Sequence, residues 1–293
     1  MQMIANELKK RALELLADGT VARVLGWQPG ELEHDWSPAL FENAKDMEGF
    51  VYGKYAGANL SKYCLKLNKA EGKTLVMLKP CDTFSFNQLL HEHRLNRENF
   101  YIIGVGCKGM EDQNGLLLKC TCCKGKTHEI YDEIIDDEEA RQPMPEADRF
   151  EQVSKLEQMS HEERFEFWRN ELSRCIRCNA CRNVCPACTC VKCVFDNPNS
   201  GIASKANVTD FEENMFHIIR AYHVAGRCTD CGECSRVCPQ NIPLHLLNRK
   251  FIKDMNELYG DYQAGVGEEE RTPMTSYTLG DVEPGIVHER GNE

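Results

Sequence analysis

The chain has 293 residues, of which 42% are hydrophobic and 17 are cysteine, so it is long enough for one large domain or two medium ones. Its formal net charge of −11 disfavours nucleic acid and anionic membranes as partners, because both require a basic face. No run approaches the roughly 18 apolar residues of a membrane span, and the first residues lack the pattern of a secretory signal, so we expect no direct membrane insertion and a cytoplasmic location.

The cysteines fall into three groups, and in a reducing compartment their spacing decides what they do. A stretch without cysteine separates Cys123 from Cys175, and it contains the proline-rich segment 142–145, a predicted linker. We therefore predict a boundary near residue 149 and three segments, 1–149, 150–264 and 265–293. The last segment is acidic and has few apolar residues, which favours either a solvated tail or an arm that lies along a partner subunit.

The first segment is predicted to be an α/β domain. Helical periodicity favours an amphipathic helix over residues 4–16, and an apolar run favours a strand over residues 21–27. Apolar strands at Thr74–Leu78 and Phe100–Val105 flank a helical stretch that contains Leu89. A strand, a helix and a strand within about 35 residues form a βαβ unit, which predicts a small parallel sheet.

Four cysteines of this segment are expected to converge at one edge of the sheet. Cys81 and Cys107 follow the two strands, at the edge where open α/β sheets bind ligands. Cys120 and Cys123 have CxxC spacing, and Cys122 competes for either place. We predict that Cys81, Cys107, Cys120 and Cys123 hold a [4Fe-4S] cluster, the alternatives being buried thiols or a zinc knuckle.

The second segment contains two ferredoxin-type motifs, each with the pattern Cys-x2-Cys-x2-Cys-x3-Cys-Pro. Their cysteines are Cys175, Cys178, Cys181 and Cys185, then Cys228, Cys231, Cys234 and Cys238. A tight loop reaches three corners of a cubane, and in two-cluster ferredoxins the fourth cysteine of each motif binds the other cluster. We therefore assign one [4Fe-4S] cluster to Cys175, Cys178, Cys181 and Cys238, and another to Cys228, Cys231, Cys234 and Cys185.

Zinc is the alternative for these eight cysteines, but a zinc site takes two CxxC pairs and leaves the third closely spaced cysteine unexplained. Three further cysteines, Cys188, Cys190 and Cys193, are surplus to two cubanes. They either help to bind another metal or pack beside a cluster as small apolar residues, and we favour packing.

The insert between the two motifs is too long for a compact β-hairpin ferredoxin. The insert and the stretches on either side of the motifs have the pattern of helices. Apolar residues recur at helical spacing in three stretches, namely Phe165, Trp168 and Leu172, then Phe211, Met215, Ile218, Ile219 and Tyr222, then Leu244, Leu247, Phe251, Met255 and Leu258. We expect these stripes to pack in the core of a mainly α-helical ferredoxin domain. Over about residues 160–260 the chain resembles the iron–sulfur domains of heterodisulfide reductase small subunits and succinate dehydrogenase iron–sulfur subunits.

The first segment carries a second resemblance. The motifs Lys-Pro-Cys-Asp at 79–82 and Ile-Gly-Val-Gly-Cys-Lys-Gly at 103–109, followed by the CxxC, resemble the β-subunit family of deazaflavin-reducing hydrogenases and formate dehydrogenases over about residues 45–135. The resemblance implies a cluster beside a flavin, FAD, and electron transfer between a soluble carrier and a catalytic subunit. The glycine-containing segment 53–59 suits a phosphate, although an ordinary turn explains it better.

The sequence shows no Walker loop, nucleophile elbow or HExxH motif. We therefore expect an electron-transfer subunit of a multi-subunit anaerobic oxidoreductase of the formate dehydrogenase, hydrogenase or heterodisulfide-reductase kind. Its partners would be the other subunits and a soluble electron carrier. The alternative is a self-contained flavin-dependent iron–sulfur reductase.

Overall fold

The computed structural model describes residues 1–143, 148–197 and 210–268, with only the backbone of residues 210–213. The strands are β1 Arg23–Pro29, β2 Trp36–Phe41, β3 Thr74–Leu78, β4 Phe100–Val105, β5 Glu111–Asp112, β6 Gly115–Leu116 and β7 Glu133–Ile135. The helices are α1 Gln2–Ala17, α2 Ser61–Leu67, α3 Pro80–His91, α4 Leu118–Thr121, α5 Glu138–Arg141, α6 Glu151–Gln158, α7 His161–Ser173, α8 Ala180–Val184, α9 Asp210–His223, α10 Glu233–Arg236 and α11 His245–Tyr259. The chain therefore changes from an α/β region to a helical region, as predicted.

The main sheet has five strands in the order β2-β1-β3-β4-β7. Strands β1, β3, β4 and β7 run parallel, with Thr74 of β3 opposite Phe100 of β4. The predicted parallel sheet is thus confirmed, but the sheet is mixed, because β2 pairs antiparallel with β1. Strand β2 was not predicted, since it contains Pro38, which is tolerated only at an edge because it cannot donate to the ladder.

The core of the α/β region lies around the central strands. All five residues of β3 are buried, which is typical of a parallel strand covered on both faces. Helix α1 packs Ile4, Leu8 and Leu15 into the same core, while Leu13 and Leu16 are only partly buried. Helix α3 starts directly after β3 with Pro80 at its first turn, a position where a missing N–H costs little.

The helical region buries only part of the predicted apolar stripes, including Leu172, Leu244 and Met255. On α9 the buried residues are Phe216, His217, Arg220 and Ala221, whereas Tyr222 is 62% exposed. The stripe prediction was also wrong for Phe165 on α7 and for Leu258 on α11, which are exposed. Helix α9 buries His217 and Arg220 near the cysteines, and α11 places Asn248 Nδ2 3.8 Å from Cys234 Sγ. On these helices a hydrophobic pattern alone does not identify the buried face.

The predicted linker and tail fall largely outside the described residues. Of the linker, residues 144 and 145 are not described, and of the acidic segment only residues 265–268 are described. Those first residues pack on α3, because Asn87 Nδ2 donates to the carbonyl oxygens of Gly265, at 3.0 Å, and Gly267, at 2.8 Å. Within the described ranges, no helix has the length and apolar character needed to cross a membrane.

Candidate iron–sulfur sites

The first cavity is formed by both ferredoxin-type motifs. Cys175, Cys178 and Cys181 of the first motif line it together with Cys238, the last cysteine of the second motif. Cys178 is exposed and Cys181 is buried. The structure thus brings together the four cysteines that the sequence assigned to one cluster.

The second cavity contains the complementary set. It is lined by Cys185, Cys228 and Cys231. Burial raises the pKa of the Cys228 thiol most, and the neighbouring charges of Asp230, Cys185 and Cys234 raise it further. Cys234 is not among the residues that line this cavity, but it lies near Cys228, and Cys185 is the last cysteine of the opposite motif.

The third cavity lies at the edge of the parallel sheet. Cys81, Cys107, Cys120 and Cys123 line it, as the sequence predicted for this edge. Cys81 sits in the first turn of α3 rather than in a loop after the strand. Cys122 is not among the lining residues of this cavity and instead lies 3.8 Å from Nη1 of Arg249, measured at its Sγ.

The two motif loops share one backbone conformation. Arg177 and Asn179 have positive φ angles of 53° and 62°, and Asp230 and Gly232 have positive φ angles of 53° and 68° at the same two places of the second motif. When residues alternate between right- and left-handed backbone conformations, their successive N–H groups point into one concave site, and such a site binds anions. The repeated conformation therefore suits a sulfide-containing anionic group in each loop.

Backbone N–H groups already point at several of these sulfurs. In four cases the backbone N–H of the residue two positions after a cysteine donates to the sulfur of that cysteine. The donors are Arg177, at 3.4 Å from Cys175, Asp230 to Cys228, Glu233 to Cys231 and Gly109 to Cys107. Met110 N also donates to Cys120 Sγ at 3.3 Å. Such bonds stabilise thiolates and tune the reduction potential of clusters that they bind.

Burial favours the protonated thiol of these cysteines unless a metal binds them. Burial raises the pKa of Cys81, Cys107 and Cys120, and it raises the pKa of Cys181 to about 11. Iron would bind these groups as thiolates and displace their protons. Among the described residues no three His, Cys, Asp or Glu side chains are placed to share one metal ion. A cubane does not require such convergence, since each sulfur binds a separate iron corner.

Two buried polar side chains test whether the cavities fit iron–sulfur clusters. His217 lines the first cavity, is 1% exposed, and has no hydrogen-bond partner for either ring nitrogen within the described residues. Burial, with the charges of Arg220 and Arg177, lowers the pKa of His217 to about 3, so the ring is neutral and retains one N–H donor. Arg220 is equally buried and equally without a partner among the described side chains and backbone. Sulfides and thiolates are acceptors for both, so the residues present fit the clusters.

The second and third cavities share a wall. Cys231 lines both of them, and Asp230 also lines the third cavity. A buried ion network fixes this junction, in which the fully buried Glu233 lies 2.8 Å from Lys119 Nζ and 2.8 Å from Arg236 Nη2. Burial opposes ionisation of Glu233, but the charges of Lys119 and Arg236 outweigh it and hold the pKa below its usual range.

Further contacts join the two regions around the second cavity. Ser85 Oγ lies 2.7 Å from Thr229 Oγ1, and Arg227 Nε donates to Glu92 Oε1 at 2.8 Å. Arg249, buried and paired with Asp230 at 2.9 Å, donates to the carbonyl of Arg149. The α/β region and the ferredoxin motifs are therefore packed through polar contacts that surround the cysteines.

The surplus cysteines line a separate cavity. Cys188, Cys190 and Cys193 line it with cationic side chains that include Lys62 and Arg182. Cys188 is hydrogen-bonded to Cys185, which agrees with packing beside the second cavity. The prediction of packing is wrong for Cys190, which is exposed.

Sequence reasoning missed Arg220 and the Glu233 network. His217 and Arg220 are three positions apart on α9, which places them on one face of a helix. This spacing could have indicated a polar face of the helix, but the apolar stripe beside it was the stronger pattern. For Glu233 no local pattern exists, because its partner Lys119 lies on another region of the chain.

The chain is similar in sequence to known iron–sulfur proteins. A family model of the 4Fe-4S dicluster domain matches residues 171–242. The β subunit of the F420-dependent formate dehydrogenase of Methanocaldococcus jannaschii is 24% identical over 331 aligned positions, which cover 82% of this chain and 86% of that protein. A protein of Sinorhizobium fredii designated as a ferredoxin is 33% identical over 79 residues, 27% of this chain and 75% of that protein.

One solved structure overlaps a smaller part of the chain. The F420-reducing [NiFe] hydrogenase complex from Methanosarcina barkeri matches with a TM-score of 0.25 and 11% identity. The match covers 37% of this chain, which spans 43% of the hydrogenase chain. This overlap is too small to bear on the fold.

The paired motifs, their cavities and the family model define an iron–sulfur protein with a 4Fe-4S dicluster domain. The chain is similar over most of its length to the β subunit of the F420-dependent formate dehydrogenase of Methanocaldococcus jannaschii, which confirms the resemblance to that β-subunit family drawn from the first segment. The 4Fe-4S domain lies in its second, helical region.

Proposed function

We propose that the chain is the electron-transfer subunit of a formate dehydrogenase- or hydrogenase-like complex and carries three [4Fe-4S] clusters in a row. The first cluster would be held by Cys175, Cys178, Cys181 and Cys238, the second by Cys185, Cys228, Cys231 and Cys234, and the third by Cys81, Cys107, Cys120 and Cys123. The domains would be 1–149 for the third cluster and 150–264 for the other two, followed by the tail 265–293. The related formate dehydrogenase β subunit supports the class of complex.

The observation that carries the proposal is the position of Cys231. This residue lines both the second and the third cavity, so clusters in those cavities would be neighbours. The first and second cavities are also adjacent, because Cys181 and Cys234 pack in one cluster of buried residues. The second cluster would therefore lie in the middle, and an electron would cross the chain through it.

The two ends of this row differ in what surrounds them. At one end Cys178 is exposed beside Ile176, which is 60% exposed, so the first cluster would present an edge to a partner subunit. At the other end Cys123 lies between the third cavity and a wide cleft. Bound clusters supply the electron acceptors, and the chain fixes their spacing, excludes water and sets their potentials.

The test interrupts the middle of the row in the complex purified without air. Cys228→Ser should damage the second cluster and leave the first and third reducible by dithionite. After addition of formate or hydrogen, freeze-quenched EPR spectra should then show reduction at only one end of the row, whereas the unmodified complex shows both. Equal reduction of both ends in the variant would rule out the linear path.

A flavin-dependent reductase is the second candidate function, and the wide cleft beside Cys123 favours it. The cleft has a volume of about 1030 Å³ and is lined by Phe84, Phe150, Tyr262 and Arg149. Aromatic and cationic side chains next to a redox centre suit an isoalloxazine ring and a phosphate, so FAD would fit there. A flavin released on denaturation of the purified chain, together with turnover without other subunits, would support this candidate, and the absence of both would reject it.

A further inference from the structure

Arg220 is a buried cation for which the described residues provide no carboxylate partner. Its side chain is 1% exposed, and within the described part of the chain Nε and both Nη atoms have no hydrogen-bond partner. Burial of a charge is tolerated only when an opposite charge or several acceptors face it. A guanidinium also remains protonated in proteins, so neutralisation by proton loss is not open to it.

Three other buried cations among the described residues are paired with carboxylates. Lys79 lies 2.6 Å from Asp82, and both side chains have no exposed surface. Lys119 is paired with Glu233, and Arg249 is paired with Asp230. Arg220 departs from this pattern, although it is as deeply buried as these three.

Cysteines surround Arg220 where the carboxylates would be. Arg220 lines the cavity that contains Cys188, which is hydrogen-bonded to Cys185. Burial opposes the charge of Arg220, but the charges of Cys234, Cys181, Cys185 and Cys188 counter burial and raise its pKa. Cys181 lines the first cavity and Cys185 lines the second, while Cys234 packs with Cys181. With iron bound these groups are thiolates, so one guanidinium faces the ligands of two different clusters.

We propose that Arg220 is an electrostatic bridge between the first and second clusters and raises the reduction potentials of both. The inference rests on the proposed function, since it assumes that the two cavities hold clusters. Reduction adds negative charge to a cluster, and a fixed positive charge in a water-poor interior favours the reduced form. Because the same charge acts on both clusters, their potentials rise together, which keeps the electron from being trapped on either one.

The test is an EPR-monitored redox titration of the full chain with its clusters assembled without air. Arg220→Gln removes the charge and keeps an amide donor, whereas Arg220→Lys keeps the charge. We expect Arg220→Gln to lower the reduced-to-oxidised ratio of the first and second clusters about tenfold at a fixed potential, a shift of about 59 mV for one electron. Arg220→Lys should move both potentials less, and the third cluster should not shift in either variant.

Arg182→Gln is the matched control, because Arg182 is near the first motif but is already paired with Asp196 at 2.8 Å. Unchanged potentials in Arg220→Gln, or an equal shift in Arg182→Gln, would overturn the proposal. Should Arg220→Gln lose iron, the loss should come from the ferredoxin pair and be restored by Arg220→Lys, and failure of that rescue would also overturn it. An iron content that is already below two clusters in the unmodified chain would instead reject the proposed function.

Discussion

Glu233 and Lys119 join the two regions of the protein through a buried ion pair, with Glu233 Oε1 2.8 Å from Lys119 Nζ. Glu233 is the first residue of α10, two positions after Cys231, and it also accepts a hydrogen bond from Asn59 N at 3.2 Å. Lys119 precedes Cys120, a lining residue of the third cavity. One ion pair thus holds the second and third cavities side by side.

We therefore predict that Glu233→Gln destabilises the junction. The variant leaves Lys119 buried without its carboxylate, and removal of one partner of a buried pair typically costs about 3–5 kcal/mol. Chemical denaturation without air, followed by cluster absorbance, measures the change. Glu257→Gln is the control, because Glu257 is 57% exposed in its pair with Lys253 and its loss should cost less than about 1 kcal/mol. Equal effects of the two variants would contradict the role of the junction.

The iron content distinguishes the competing cysteines of the α/β region. Three cubanes require about twelve iron atoms per chain. Cys123→Ser should lower this number to about eight, because Cys123 lines the third cavity. Cys122→Ser is the matched control and should keep about twelve, since Cys122 contacts Arg249 instead. Loss of iron in the Cys122 variant alone would exchange the two assignments.

The crossed ligand sets make a prediction about each motif's last cysteine. Cys238→Ser should alter the EPR signal of the cluster in the first cavity, although Cys238 belongs to the second motif. Cys185→Ser should alter the cluster in the second cavity. Double variants that combine Cys238→Ser with Cys178→Ser or with Cys231→Ser provide the comparison. The first combination should damage one cluster and the second should damage two, and the reverse result would show that each motif completes its own cluster.

The segment after α11 should depend on Gly265. This residue has a φ of +82°, and an added Cβ would lie 2.0 Å from the carbonyl oxygen of Phe84. Gly265→Ala should therefore detach the segment from α3 and increase its cleavage by a nonspecific protease about tenfold. Gly267→Ala provides the comparison, since Gly267 has a similar φ of +67° but no atom within 4 Å of the added Cβ. Both variants strain the backbone by about 1–2 kcal/mol, so only a difference between them reports the contact.

The helix before the second motif shows where sequence reasoning failed. Met215, Ile218 and Tyr222 form an apolar stripe, but each is more than one-third exposed. The neighbouring face buries His217 and Arg220 beside the cysteines. Hydrophobic periodicity predicts which face of a helix is buried away from water. It does not account for a bound anionic cluster, because the cluster is not part of the amino-acid sequence.

The sequence by itself determined the α/β and helical regions, the parallel strands and the grouping of eleven cysteines around three cavities. It did so because strand hydrophobicity, CxxC spacing and the short reach of a loop are local constraints. Only the tertiary structure decided the order of the cavities, the choice between Cys122 and Cys123 at the cavity wall, and the burial of Arg220. These depend on pairs such as Lys119 and Glu233, whose energies arise from desolvation of charges that meet only after the chain has folded.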